Sequence, residues 1–268
     1  MQLLVGAPLY KLDTHCRVYL PQMKDLKRAE NVLYIRPIWQ TAMNLMGFSE
    51  HPTKMVGEAL CMAKDEEEIF RMAQASVFSL RNLEMLKNAL HTYFGEYEKG
   101  ADLAIARGED SYLRDLPSMP AGMWDLLFTG ICLFSMACIS NKQKYKKYAL
   151  RARAKVHSWL QKGNPNVGHH AALLDAEYYV LKKKHDKASK CYEDAIVKAS
   201  RGGFIHDVAL ASERYAQFLL SSNVSDHEGA LFRIHDAIRS YSEWGAKAKV
   251  DDLLETYKDL LEPSAAVL

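Results

Sequence analysis

Residues 187–196 read KASKCYEDAI, and residues 229–238 read GALFRIHDAI. The two decamers are one helical unit written twice. Ala188 and Ala195 recur as Ala230 and Ala237, Tyr192 as Ile234, and Asp194-Ala195-Ile196 as Asp236-Ala237-Ile238. Small residues seven apart, with a bulky apolar residue four after the first, fall on one face of a helix. The small positions let a neighbouring helix come close, and the bulky one fills the space that remains. Stacked helix pairs are built on such a stripe. The spacing predicts an all-α chain of antiparallel helix pairs stacked as a tetratricopeptide-like, right-handed superhelical array. One helical-repeat domain is expected over 1–268. It has divergent N-terminal helices to 120, an apolar and then a basic helix over 121–162, the repeats proper over 163–260, and a frayed tail over 261–268.

Outside the repeats, strand signals are almost absent: there is no sustained period-two alternation and no Asn-Gly or Asp-Gly turn. Helices are expected at 9–24, 25–47, 53–64, 65–92 and 95–106, with Asp65 capping the fourth and a longer loop over 107–120. After the turn at 163–170 they follow at 168–183, 186–201, 205–221, 226–242 and 245–259. Residues 121–139, AGMWDLLFTGICLFSMACI, carry no charge from Leu126 to Ile139. A bilayer span needs ~20 apolar residues, and Asp125 interrupts this run, so a buried core helix is expected. The basic residues that follow, Lys142 to Lys155, read as the wet face of a helix whose dry face holds Tyr145, Tyr148, Ala149, Ala152 and Val156.

At 268 residues, with 49% hydrophobic residues, 25% charged residues and a net charge of +2, the chain has an ordinary globular composition and no overall polyanion-binding character. Its five cysteines are odd in number and form no C-x-x-C pair. They read as reduced, mostly buried thiols in a cytoplasmic protein. The N-terminal MQLLVGAPLYKLD lacks the pattern of a secretory signal.

Chemistry is sparse. The glycine pairs Gly95/Gly100 and Gly163/Gly168 have the spacing of a phosphate-binding loop, but the lysine that must follow is missing from both. Ten histidines include no H-E-x-x-H and no Cys/His cluster. His169 and His170 are adjacent, diverge by about 100° on a helix, and so are not expected to share a metal. His169 and His206 are expected to hydrogen-bond within turns. No catalytic, cofactor-binding or metal-binding residue is expected. The recognition surface is expected on the inner face of the helix that starts near His169, with His170, Leu173, Glu177, Val180 and Leu181 facing a protein or peptide partner. Nucleic acid and membrane are not expected partners. Trp244, followed by Gly245-Ala246, reads as a packing anchor at a helix junction.

A longer set of residues runs without a gap from Asn166 to Leu220. It comprises Asn166 and His169, Leu173-Leu174 with Ala176-Glu177, then Ala188, Tyr192, Ala195, Ile196 and Ala199, and the turn Gly203-Phe204-Ile205-His206. Trp244-Gly245-Ala246 with Lys249-Val250, Leu253 and Tyr257 completes it. In these motifs the chain resembles the helical-repeat region that follows the predicted ATPase module in large hybrid signalling kinases. Those proteins join a serine/threonine-kinase-like domain, an ATPase module, helical repeats, a GAF domain and a histidine kinase. The chain departs from the family's pattern at Tyr179, where Ala is usual, at Lys183, where Gly is usual, and at Lys258, where Pro is usual. The resemblance implies a tetratricopeptide-like fold and a non-catalytic interaction or regulatory role beside kinase or ATPase modules. The chain would be either a free-standing relative or the sensor arm of a larger enzyme whose catalytic modules lie elsewhere.

Overall fold

A computed structural model of the chain describes residues 2–25, 29–108, 110–117, 119–221 and 223–262, with the backbone alone for 24, 25 and 29–33. All but the first two residues of the expected frayed tail lie outside this set. The described residues are all-helical, with no strand. In chain order the helices are α1 (Leu9–Asp25), α2 (Ala29–Met46), α3 (Glu66–Ala73), α4 (Val77–Tyr93), α5 (Tyr97–Arg107), α6 (Ser111–Asp115), α7 (Ala121–Ser140), α8 (Gln143–Gln161), α9 (Gly168–Leu181), α10 (His185–Arg201), α11 (Ile205–Leu219), α12 (His227–Trp244), α13 (Lys247–Thr256) and α14 (Lys258–Leu261).

The duplicated stripe does what its spacing predicts. Ala188, Tyr192 and Ala195 of α10 are buried, and so are Ala230, Ile234 and Ala237 of α12. Helix α10 packs on α9 and α11, and α12 packs on α11 and α13. The connection from α9 to α10 is only Lys182–Lys184, so the chain turns straight back. Lys183 takes a positive φ of 53° there, at the position where the resembled family carries Gly.

Three N-terminal expectations are corrected. The helix expected over 53–64 is a loop with a 3-10 turn at Glu58–Leu60. Gly57 takes a φ of 145°, and the Asn44 amide donates to the carbonyls of Pro52 and Lys54 at 3.0 and 2.7 Å. These bonds fix an irregular path that a helix could not follow. The helix expected over 65–92 is two, because the Ser76 hydroxyl accepts from the Ser79 amide at 3.4 Å and starts α4 afresh. Asp65 caps α3 as expected, accepting from the Glu68 amide at 2.8 Å. The 107–120 loop holds the short helix α6. Of the five cysteines only Cys16 and Cys132 are buried; Cys61 and Cys138 are exposed.

Helix α7 lies at the centre and touches α4, α5, α8 and α9. It is long and apolar enough to cross a membrane by length and composition, yet 83% of its most apolar window is buried inside the chain. Its one carboxylate, Asp125, is buried and takes a short hydrogen bond from Arg107.

The inner face of α9 is closed. His170, Leu173 and Glu177 are buried, and Val180 and Leu181 are half-buried against the core. Leu173, Glu177, Val180 and Leu181 therefore form no open groove. The reason is a buried ion pair between helices. Arg214 of α11 meets Glu177 twice, Nε to Oε1 and Nη2 to Oε2, both at 2.8 Å. Its remaining donors reach Ser135 Oγ of α7 at 3.0 Å, Tyr97 Oη of α5 at 2.7 Å and Gln217 Oε1 at 2.6 Å. Tyr192 of α10 donates to Glu177 Oε1 at 3.0 Å. Helices α5 and α7 thus occupy the surface on which a partner was expected.

The two ends of the chain also meet, because α13 packs against α2. Lys249 lies among Lys247, Asp251 and Asp252 on α13, a run that reads as a polar outer face. It is 2% exposed instead, with its ammonium 2.8 Å from Glu213 and 2.7 Å from Asp252. Trp244 is fully buried at the end of α12, its ring 5.7 Å from Tyr93 and 5.4 Å from His206. Ala246 beside it is buried too.

Two stability measurements check this packing. Arg214→Ala should cost about 3–5 kcal/mol in urea unfolding, because it leaves the Glu177 charge buried without its partner. The double replacement Arg214→Met with Glu177→Leu should recover much of that loss; equal losses for the single and double variants would show that the pair does not carry the junction. In α13, Leu253 is 2% exposed and its neighbour Leu254 is 46% exposed. Leu253→Ala should cost about 2–5 kcal/mol and Leu254→Ala less than about 0.5 kcal/mol. Matching melting temperatures for the two would mean that α13 is not docked.

Candidate functional site

The first turns of α9 and α11 come together and bring three histidines and a carboxylate into one cluster. Before α9, the Asn164 side chain accepts from the Asn166 amide at 3.0 Å and sets a 3-10 turn, Pro165–Val167. That turn delivers His169 and His170 into the first turn of α9. Before α11, the chain passes through Gly202-Gly203-Phe204 and delivers His206 and Asp207 into the first turn of that helix. An acidic residue there is favoured by the helix dipole.

All three histidines turn toward one carboxylate oxygen. His169 Nε2 lies 2.9 Å from Asp207 Oδ2, His170 Nε2 lies 3.3 Å from it, and His206 Nε2 lies 3.6 Å away. The expected divergence of His169 and His170 is therefore corrected. The 100° step applies to the Cα–Cβ directions, but an imidazole reaches well beyond Cβ. Both rings swing to the same oxygen, with centroids 4.2 Å apart. The expectation that His169 and His206 hydrogen-bond within turns is corrected with it. The His169 bond spans two helices, and neither ring nitrogen of His206 has a hydrogen-bond partner.

The four residues are buried, and burial sets their charges. Burial pushes the His170 imidazole below its ordinary range, which the Asp207 hydrogen bond only partly opposes. Burial pushes His206 down to about 4. For Asp207, burial alone would raise the carboxyl. The neighbouring His206 and the hydrogen bonds from His169 and His170 outweigh it and hold the group well below the usual carboxylate range. At neutral pH the site is an ionised carboxylate with His170 and His206 neutral beside it. Asp207 Oδ1 has no hydrogen-bond partner, and neither does His170 Nδ1.

This cluster floors a cavity of about 550 Å³. Its walls come from separate parts of the chain: Leu4 and Val5 at the N-terminus, Pro117, Met119 and Pro120 before α7, Met123 and Trp124 at its start, Trp159 near the end of α8, and Phe204. Phe204 stacks on His169, centroids 4.7 Å apart and rings 19° from parallel. Trp124 packs against His206 at 5.1 Å. Gly6 packs against His206. It has a φ of 69°, and a Cβ there would stand 2.3 Å from His206 Nδ1, so no other residue fits without displacing the ring.

Several residues that the sequence marks gather here. Asn166, His169, His170 and Phe204 line the cavity, and His206 stands directly behind it. Leu173, Glu177, Val180 and Leu181 do not, and Ala188, Tyr192, Ala195, Trp244 and Ala246 belong to the core. Asp207, Trp124 and Trp159 also line the cavity, and the sequence does not single them out. Asp207 follows His206 directly, and a carboxylate next to a marked histidine was the available signal. No protein-family model matches the chain, and no curated protein or solved structure matches it at significant similarity.

The charge states make stability pH-dependent. An unfolded histidine takes its proton near pH 6.5, whereas His206 in the fold takes it only near 4. Between these values the unfolded chain binds more protons, so stability falls as pH is lowered through this window. In chelator-containing buffer the melting temperature should drop between pH 6.5 and 4, with His206 contributing on the order of 3 kcal/mol. His206→Phe should flatten that slope whatever its effect at pH 7. A slope unchanged in the variant would reassign the acid sensitivity to other groups.

Proposed function

We propose that the chain is a non-catalytic interaction or regulatory module, built on tetratricopeptide-like repeats, that recognises a protein or peptide partner. The observation that carries this reading is the cavity over the His169–Asp207 cluster. Its volume lies within the range of pockets that enclose a ligand group, roughly 300–1,000 Å³. Its walls are tryptophan, phenylalanine, methionine and proline, and aromatic residues and methionine are enriched at interfaces. The described lining includes no serine, cysteine or lysine to act as a nucleophile. Such a pocket suits an aromatic or aliphatic anchor from a partner segment, held at its tip by the polar floor.

The resemblance to hybrid signalling kinases supports kinase or ATPase modules as the partners, in the same polypeptide or another, within the cytoplasm. The alternative form of the proposal is that the chain is the sensor arm of such an enzyme. Nucleic acid is a poor candidate, because the basic face of α8 is partly engaged: Arg153 bonds Asp175 at 2.5 Å, and Lys144 lies 3.5 Å from Asp102. A membrane partner through α7 is disfavoured by the burial of that helix.

Peptides selected on the chain from a randomised display library should share an aromatic or aliphatic anchor. Trp159 is half-buried and packs against the core at the cavity wall, so Trp159→Ala should weaken them by about 2 kcal/mol or more, the scale of an interface hot spot, measured at a temperature where the variant is still folded. Selected peptides indifferent to Trp159→Ala would place recognition elsewhere and overturn this reading.

A further inference from the structure

The cluster at the cavity floor has the composition and spacing of a metal site. We propose that His169, His170 and Asp207 bind a divalent transition-metal ion of the zinc type, with one coordination position open to the cavity.

Two imidazole nitrogens and a carboxylate oxygen form a donor set that zinc and its neighbours accept, and calcium or magnesium would call for oxygen donors instead. The spacing fits. With metal–ligand bonds of about 2.0–2.1 Å, donor atoms around a tetrahedral ion stand roughly 3.3 Å apart. Here Asp207 Oδ2 is 2.9 and 3.3 Å from the two Nε2 atoms, and all three donors lie within 4.8 Å of one another. An ion at their centre requires small side-chain adjustments and no movement of the helices.

Two further observations point to a ligand. Asp207 Oδ1 is buried and unpartnered, so the carboxylate has coordinating capacity that the protein leaves unused. Among the described residues, the ion-pair partners of Asp207 are histidines alone. A buried carboxylate with no lysine or arginine beside it is expensive, and a divalent cation supplies the missing charge. His206 is not counted as a ligand: its Nε2 is the most distant of the three, and its ring is wedged between Trp124 and Trp244.

Three protein ligands with the fourth position facing a cavity describe an exchangeable site, unlike the closed four-ligand sites that only brace a fold. The donors come from the first turns of α9 and α11, and the same two helices are locked together farther along by Glu177 and Arg214. The ligands are therefore held by a rigid pair. The assignment does not depend on whether a peptide enters the cavity.

The test uses the full chain stripped with chelator. Titration with Co2+ should give one equivalent bound, with the visible d–d bands of a low-symmetry four- or five-coordinate ion, and Zn2+ should displace it. Histidine ring 15N spectra of the Zn2+-loaded wild type should show two imidazoles ligating through Nε2. Asp207→Asn should weaken Zn2+ binding at least about 100-fold, beyond the usual effect of losing a supporting residue, while the remote His185→Gln should leave it unchanged. Absence of stoichiometric binding by the wild type overturns the proposal, and so does ligation by histidines other than this pair. The wild-type spectra decide the matter even if Asp207→Asn fails to fold.

Discussion

The Arg214–Glu177 pair is the constraint on which the arrangement of helices depends. A guanidinium offers five N–H donors in a rigid plane, and here each finds an acceptor: two on Glu177 and one each on Ser135, Tyr97 and Gln217. The acceptors sit on α5, α7, α9 and α11. A buried arginine satisfied in this way fixes four helices at once, because shifting any of them strands a buried donor or charge, and stranding is what makes buried polar groups costly. Hydrophobic burial supplies the drive to compact the chain, but apolar contacts tolerate sliding. The guanidinium plane does not.

That constraint also explains why the inner face of α9 offers no open groove. In an open array of helix pairs the first helices line a concave surface and the two ends of the chain stay apart. Here α5 and α7 fill the inner side, where Tyr97 and Ser135 meet Arg214, and α13 returns to touch α2. The concavity over the His169–Asp207 cluster lies instead at the ends of the helices, where the first turns of α9 and α11 meet the start of α7 and the N-terminal segment.

How much of this the sequence reveals depends on the range of the signal. The stripes Ala188-Tyr192-Ala195 and Ala230-Ile234-Ala237 are local patterns, and a helix buries them the same way whatever lies opposite. The helices from α7 onward are legible for that reason. The Arg214–Glu177 and His170–Asp207 pairs each join residues 37 apart, and no local period announces them. Lys249 illustrates the same limit. Its position among Lys247, Asp251 and Asp252 reads as a wet helix face, but Glu213, on another helix, draws it inside. The break at Ser76 was missed for a different reason: the apolar period of α3 continues in phase through it, and only the capping hydroxyl reveals the stop.

The two bridges between α9 and α11 share a register. His170 and Glu177 are seven residues apart on α9, and Asp207 and Arg214 are seven apart on α11, so each pair is separated by about two turns on the same face. The bridges nevertheless differ in kind. At Arg214 all five donors are used. At Asp207 one carboxylate oxygen is unpartnered, as are Nδ1 of His170 and both ring nitrogens of His206. Native proteins satisfy nearly all their buried polar atoms; Arg107 and Asp125 also leave atoms unpartnered, but the Asp207 cluster does so beside a cavity. The same two helices that complete one polar network leave the other incomplete, beside a cavity wide enough to admit a ligand. Glu177 and Arg214 hold the helices at a fixed separation, and the His169–His170–Asp207 end inherits that rigidity while keeping coordinating capacity in reserve. Under the proposed function, structure and recognition would be divided along one helix pair: the satisfied bridge sets the geometry, and the unsatisfied one is the proposed binding end.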